Sequence, residues 1–163
     1  NGRRRQRQMC IRDRSKRNFE KKWNLPRGKR NNYRLIRLDN TNWISTLEKG
    51  NEIYLNVFKA LNDDYESYEM EYFKKMAEKQ IVNGTRKWWE FNKILSSNIN
   101  TETSLDGSQT HVTIDMPGRT PTDEERKDMW ENRSFIDKMM QKNGSASREF
   151  VKRYNLKLVM WQF

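Results

Sequence analysis

Hydrophobic and polar positions alternate along Glu52 to Phe58 (EIYLNVF). Ile53, Leu55 and Val57 fall on one side of an extended chain, and Tyr54, Asn56 and Phe58 on the other, which predicts a strand. Tyr33 to Leu38 (YRLIRL) alternates well enough for a second strand, with a turn over Asp39 to Asn42 (DNTN). Past Phe58 the period changes. Tyr54, Phe58, Leu61, Tyr65, Tyr68, Tyr72 and Met76 recur at helical spacing, and Asp63-x-x-Glu66 is a start signal with acids opposing the helix dipole. The spacing predicts a helix over about 62–79.

Two dipeptides read as hairpin turns. Asn83-Gly84 lies between Ile81-Val82 and Trp88-Trp89, and Asn-Gly supplies the positive φ values that a type I′ turn needs. Asp106-Gly107 repeats the logic between Thr101–Leu105 and Gln109–Asp115, where Thr110, Val112 and Ile114 alternate with His111 and Thr113. Pro117 and Gly118 break the chain. Pro121 to Lys142 then reads as a helix, 121–142, capped by Thr120 or Thr122 and ended by Asn143-Gly144. Met129, Ile136 and Met140, with Trp130 and Phe135, form its apolar side. Tyr154 to Phe163 (YNLKLVMWQF) has strand composition. The expected fold is α+β and β-rich: antiparallel sheet or sheets with two helices, in a single globular domain over 33–163. The hydrophobic ending of the chain suggests truncation at that end.

Charge divides the chain unevenly. Residues 1–14 hold six Arg and one Asp, and residues 15–38 hold nine Lys or Arg and one Glu. Residues 39–163 hold eighteen Lys or Arg against twenty Asp or Glu, so the body is near neutral and the basicity sits in front. Residues 4–14 (RRQRQMCIRDR) resemble the conceptual translation of a transposase library adapter, which would make 1–14 an artefact and place the genuine start near Ser15. The lone cysteine, Cys10, lies inside that segment, so disulfide and thiolate chemistry are not expected of the rest. No apolar run approaches membrane-spanning length.

Candidate chemistry is sparse. Asp63, Asp64, Glu66, Glu69 and Glu71 could gather a divalent metal, but a helix start and solvated face explains them better, and no metal or other cofactor is expected. His111 could be a general base; with no nucleophile motif beside it, a surface strand histidine is the simpler reading, and no enzyme activity is expected. Asn83-Gly84-Thr85, Asn132-Arg133-Ser134 and Asn143-Gly144-Ser145 fit the glycosylation sequon, but two coincide with turn and cap signals. Trp88 and Trp89 beside Arg86 and Lys87 could stack a base. Neighbouring strand residues point oppositely, so one Trp belongs to the core.

The basic arm, 15–32 and its continuation, is the best functional candidate. Lys16, Arg17, Lys21, Lys22, Arg27, Lys29, Arg30, Arg34 and Arg37 are interleaved with Phe19, Trp23 and Tyr33. Cations neutralise phosphates and aromatics stack on unpaired bases, so a disordered arm that binds single-stranded nucleic acid without sequence preference is expected. This arm resembles that of capsid proteins from small circular single-stranded DNA viruses. Further points of similarity are the strand running into Phe58-Lys59-Ala60-Leu61-Asn62-Asp63 with a Tyr-rich helix, Ile114-Asp115 followed by Thr120-Pro121-Thr122, and Tyr154-Asn155-Leu156-Lys157-Leu158. The resemblance spans most of 15–163 and implies a jelly roll, here partial, because about seven of eight strands are legible. It also implies homo-oligomeric assembly and a location in the virion or the host nucleus or cytoplasm. The alternative is a non-assembling nucleic-acid-binding protein of a phage or mobile element.

Overall fold

The computed structural model describes residues 32–41, 48–98 and 108–159. Five strands form one antiparallel sheet: β1 (Asn32–Asn40), β2 (Glu52–Ala60), β3 (Arg86–Asn98), β4 (His111–Pro117) and β5 (Arg148–Lys157), in the order β1-β3-β4-β2-β5. Helix α1 spans 65–82 in three parts, Tyr65–Tyr68, a π-helical turn Glu69–Phe73, and Lys74–Val82. Helices α2 (Asp123–Trp130) and α3 (Phe135–Ala146) precede β5. The fold is α+β and strand-rich. From β2 onward the connectivity is βαββαβ, the split βαβ arrangement, with β1 added beside β3.

The alternation expected of β2 decides its two faces. Asn56 pairs with Thr113, and Val57 with Val112, so consecutive residues sort to opposite sides across β2 and β4. The helix-facing side carries the main core: Phe58, Tyr65, Ala77, Trp89 and Phe91, with Leu38, Ala60 and Met70 packed against them. Tyr65 meets Phe91 edge-on at 5.6 Å, and Trp89 stacks on Phe91 at 6.2 Å. The other side carries Val57 and Val112, both buried, beside half-buried Ile53, Leu55 and Ile114. No helix among the described residues covers that side.

Several expectations change on contact with the tertiary structure. Asp39 and Asn40 extend β1 and do not form a turn, because a register shift between Arg37 and Asp39 lets the Asp39 carboxylate meet Lys74 on α1 at 2.7 Å. Helix α1 starts at Tyr65, later than expected, and its N-cap Asp64 makes no side-chain capping bond. Asn83-Gly84 is no hairpin. Helix α1 runs on to Val82, Asn83 caps it with φ −85°, and Gly84 takes the left-handed conformation at φ 80°. A left-handed glycine serves a helix end as well as a hairpin, and buried Ile81 keeps this segment helical against the sheet.

The expected helix over 121–142 is two helices. Thr122 caps α2 in a reciprocal capping box with Glu125, as one of the two expected caps. Arg119 bonds the same carboxyl and, with the Thr122 contacts, pulls its pKa down to about 2. Residues 131–134 break the run, and Ser134 starts α3 by accepting from the Asp137 amide at 3.1 Å. Asn143-Gly144 does not end α3, which continues to Ala146. Gly144 is buried, and a β-carbon there would lie 2.8 Å from a Phe73 ring carbon, so this glycine permits close helix packing and is no terminator. The last strand begins earlier than expected, at Arg148, and Tyr154 to Lys157 lie within it. The strand expected over Thr101–Leu105, the Asp106-Gly107 turn and residues 160–163 lie outside the described residues, as do 1–14 and the arm over 15–31.

Candidate functional site

Between the sheet and all three helices lies a cavity of about 730 Å3. The sheet supplies its polar wall. Alternation on β2 and β4 sends Tyr54, Asn56, Thr113 and Asp115 to the same side, and register brings them together. The Asn56 amide donates to Asp115 Oδ2 at 2.7 Å and to Thr113 Oγ1 at 3.0 Å, while Thr113 donates to Asp115 Oδ2 at 3.1 Å. The other Asp115 oxygen pairs with Arg86, whose Nε donates to Gln80 at 2.8 Å. Burial lowers the Arg86 pKa to about 10, against the opposing pull of Glu69 and with a further push from Arg153.

The second ion pair joins α1 to β5. Glu69 is fully buried on the π turn, and Arg148 pairs with its Oε1. Burial raises the Glu69 carboxyl, outweighing Arg148, and Oε2 has no hydrogen-bond partner among the described residues. The Arg148 guanidinium lies over the rings of Phe58 at 4.4 Å and Phe73 at 4.3 Å, so its charge is held by a carboxylate and two aromatic faces together. A π turn widens the helix locally and is frequent at functional positions; here it carries a fully buried carboxylate.

Arg153 stands apart from these pairs. Its Nε donates to Asn56 Oδ1 at 2.7 Å, and its guanidinium lies 4.9 Å from the Tyr54 ring centre. Among the described residues no carboxylate forms a salt bridge with it. Neither Arg153 nor Arg148 was legible as a site residue. Each sits in a strand of mixed charge, and only the pairing of β5 with β2 brings them to the cavity.

The positions singled out from sequence scatter. Of the basic arm, Arg34 and Arg37 lie on β1 and are exposed, with Arg37 bonded to Glu90 at 3.0 Å. Lys16, Arg17, Lys21, Lys22, Arg27, Lys29 and Arg30 lie outside the described residues. The acids of 63–71 do not converge: Glu69 turns to Arg148, Glu66 to Lys93 at 2.7 Å, and Asp63, Asp64 and Glu71 are exposed. No group of three metal-ligating side chains occurs among the described residues. Trp89 is core and Trp88 is half-buried on the opposite side.

His111 is not a surface residue: only 2 % of it is exposed. The ring stacks on Phe91 at 5.2 Å and meets Tyr65 edge-on. The Glu66 carboxylate can only accept, so Nε2–H donates to it at 3.1 Å, and in the neutral ring Nδ1 then accepts from the Thr110 hydroxyl, whose oxygen also accepts from the Ala60 amide at 2.7 Å. This assigns the neutral ring with its proton on Nε2. Burial lowers the His111 pKa despite Glu66, whose own carboxyl is held low first by Lys93.

Compared with protein-family models, curated proteins and solved structures, the chain has no significant match. No helix among the described residues is long and apolar enough to cross a membrane.

Proposed function

We propose that this chain is a capsid-type structural protein of a virus that binds nucleic acid without sequence preference through its basic N-terminal arm. The observation that carries the reading is the charge division: nine cations against one acid over 15–38, and a body over 39–163 with eighteen cations against twenty acids. Cations gathered in one segment neutralise phosphates, while a near-neutral body lets copies approach without mutual repulsion. Two structural features support a body made for layers and contacts. The sheet is apolar on both faces, with Val57 and Val112 buried on the side away from the helices, as a sheet enclosed between two layers requires. Trp130, Phe135 and Ile136 are exposed around the α2–α3 corner, and Trp is a favoured interface anchor. Neither catalytic chemistry nor a resident cofactor belongs to this reading.

The second reading is a non-assembling nucleic-acid-binding protein of a phage or mobile element. It is favoured by the layering of α1, α2 and α3 on a single described sheet, which differs from two facing sheets of a jelly roll. Light scattering and electron microscopy of the full chain, with and without single-stranded DNA, separate the two. Regular large particles formed on adding DNA support the capsid reading. A monomer across concentration and salt that still binds DNA supports the second. Absence of any salt-sensitive DNA binding removes both.

A further inference from the structure

We propose that the cavity between the sheet and the helices binds an organic phosphate of mononucleotide size, with Arg153 holding the phosphoryl group. Asp115 is committed to Arg86, Asn56 and Thr113, and Glu69 is committed to Arg148. Arg153 remains, held among the described residues by two neutral groups, the Asn56 carbonyl oxygen and the Tyr54 ring. Those two contacts orient the guanidinium and use one of its five N–H donors, leaving the terminal nitrogens for a planar, multidentate acceptor. Arg126 stands on the α2 side of the same cavity, and its partner there, Asp123, is 88 % exposed, so that ion pair competes weakly for the charge.

Size and lining then narrow the ligand. A bare phosphate ion would leave most of about 730 Å3 unfilled, whereas pockets of this size take molecules with a substantial organic body. Phe73, Met76, Met129 and Phe150 line the cavity with apolar and aromatic surface beside the arginines, which suits a planar ring carried by the phosphate. Among the described residues the cavity lining begins at Tyr54, and the proposal uses no residue of the arm. The inference therefore goes beyond arm-mediated binding and survives its failure.

Isothermal titration calorimetry of the full chain with dAMP, adenosine and inorganic phosphate tests this. A single saturable dAMP site is expected, with adenosine and inorganic phosphate each at least tenfold weaker. Arg153→Gln should weaken dAMP at least tenfold, and Arg153→Lys should recover part of the loss, since a lysine restores charge without the planar fork. Circular dichroism melting of each variant checks that it is folded; should Arg153→Gln unfold, Arg126→Gln is the variant to read, with a smaller loss of the same sign. Changing Lys29, Arg30 and Arg34 together to Ala should leave dAMP affinity unchanged. No saturation by dAMP at millimolar concentration overturns the proposal. So does equal affinity for adenosine or for inorganic phosphate, dAMP affinity untouched in folded Arg153→Gln, or loss of dAMP binding with the arm substitutions alone.

Discussion

Arg148, the first residue of β5, pairs with the carboxylate of Glu69, which lies 79 positions earlier on the π turn of α1 and is fully enclosed by the core. The pair ties the last described strand to the first helix. Arg148→Ala should destabilise the fold by about 3–5 kcal/mol, because the remaining carboxylate is buried without its counter-charge. Adding Glu69→Gln to that variant should restore a large part of the loss, since a neutral amide tolerates the site. Urea denaturation of the two single variants and the double variant gives the coupling directly.

The same carboxyl predicts a pH dependence. Its folded pKa is raised by burial, so its contribution to stability is complete below the unfolded value and declines as pH rises through the folded one. Glu69→Gln removes that decline. The difference in urea midpoint between Glu69→Gln and the parent should therefore move in favour of the variant from pH 4 towards pH 7. A difference independent of pH would contradict the direction of the shift.

His111 gives the opposite limb. Burial lowers its pKa, so the unfolded chain takes up the proton first, and stability falls as pH drops below the ordinary histidine value of about 6.5. Protonation would also break the bond that the Thr110 hydroxyl donates to Nδ1, because both nitrogens of the charged ring are donors. Nuclear magnetic resonance of the single histidine should show its titration below that of a free imidazole. Glu66→Gln, which removes the negative charge beside Nε2–H, should lower it further.

Gly144→Ala sets two effects against each other. Alanine favours a helix by about 1 kcal/mol over glycine. The added methyl would meet the Phe73 ring at 2.8 Å and Tyr68 Cβ at 3.2 Å. Phe73 is itself held beneath Arg148, so overpacking should win, with a net loss of about 1–3 kcal/mol. Phe73→Leu in the same chain should reduce that loss. A thermal melt in which Gly144→Ala alone is stabilised would show that α3 can shift away from α1.

For the arm, about six phosphate contacts among the nine cations of 15–37 predict a slope of log K against log salt near −4 on single-stranded DNA, at about 0.7 ions per contact. Lys29, Arg30 and Arg34 changed together to Ala should flatten that slope without altering sequence preference. Deleting residues 1–14 should leave the melting temperature unchanged; a large fall would contradict their reading as an adapter-derived segment.

The sequence by itself determined whatever one or two turns of chain can encode. Alternation placed β2 and β4 and sorted Val57 from Phe58, helical spacing of Tyr65 and Tyr72 marked α1, and Thr120 or Thr122 marked the start of a helix, a choice that the structure settled on Thr122. It also determined the separation of charge between arm and body. Tertiary structure decided what depends on partners distant in the chain. Asn83-Gly84 offers a positive φ that suits either a hairpin or a helix end, and the burial of Ile81 against the sheet selected the helix end. Gly144 looked like a terminator until Phe73 showed why a side chain is excluded there. His111 stood among alternating polar residues, yet Phe91 and Tyr65 enclose it. The cavity is the extreme case: Glu69, Arg86, Asp115, Arg148 and Arg153 come from four elements, and none forms a motif with its neighbours. Strand order brings them together, and strand order follows from burial of whole faces, a long-range balance that no local window contains.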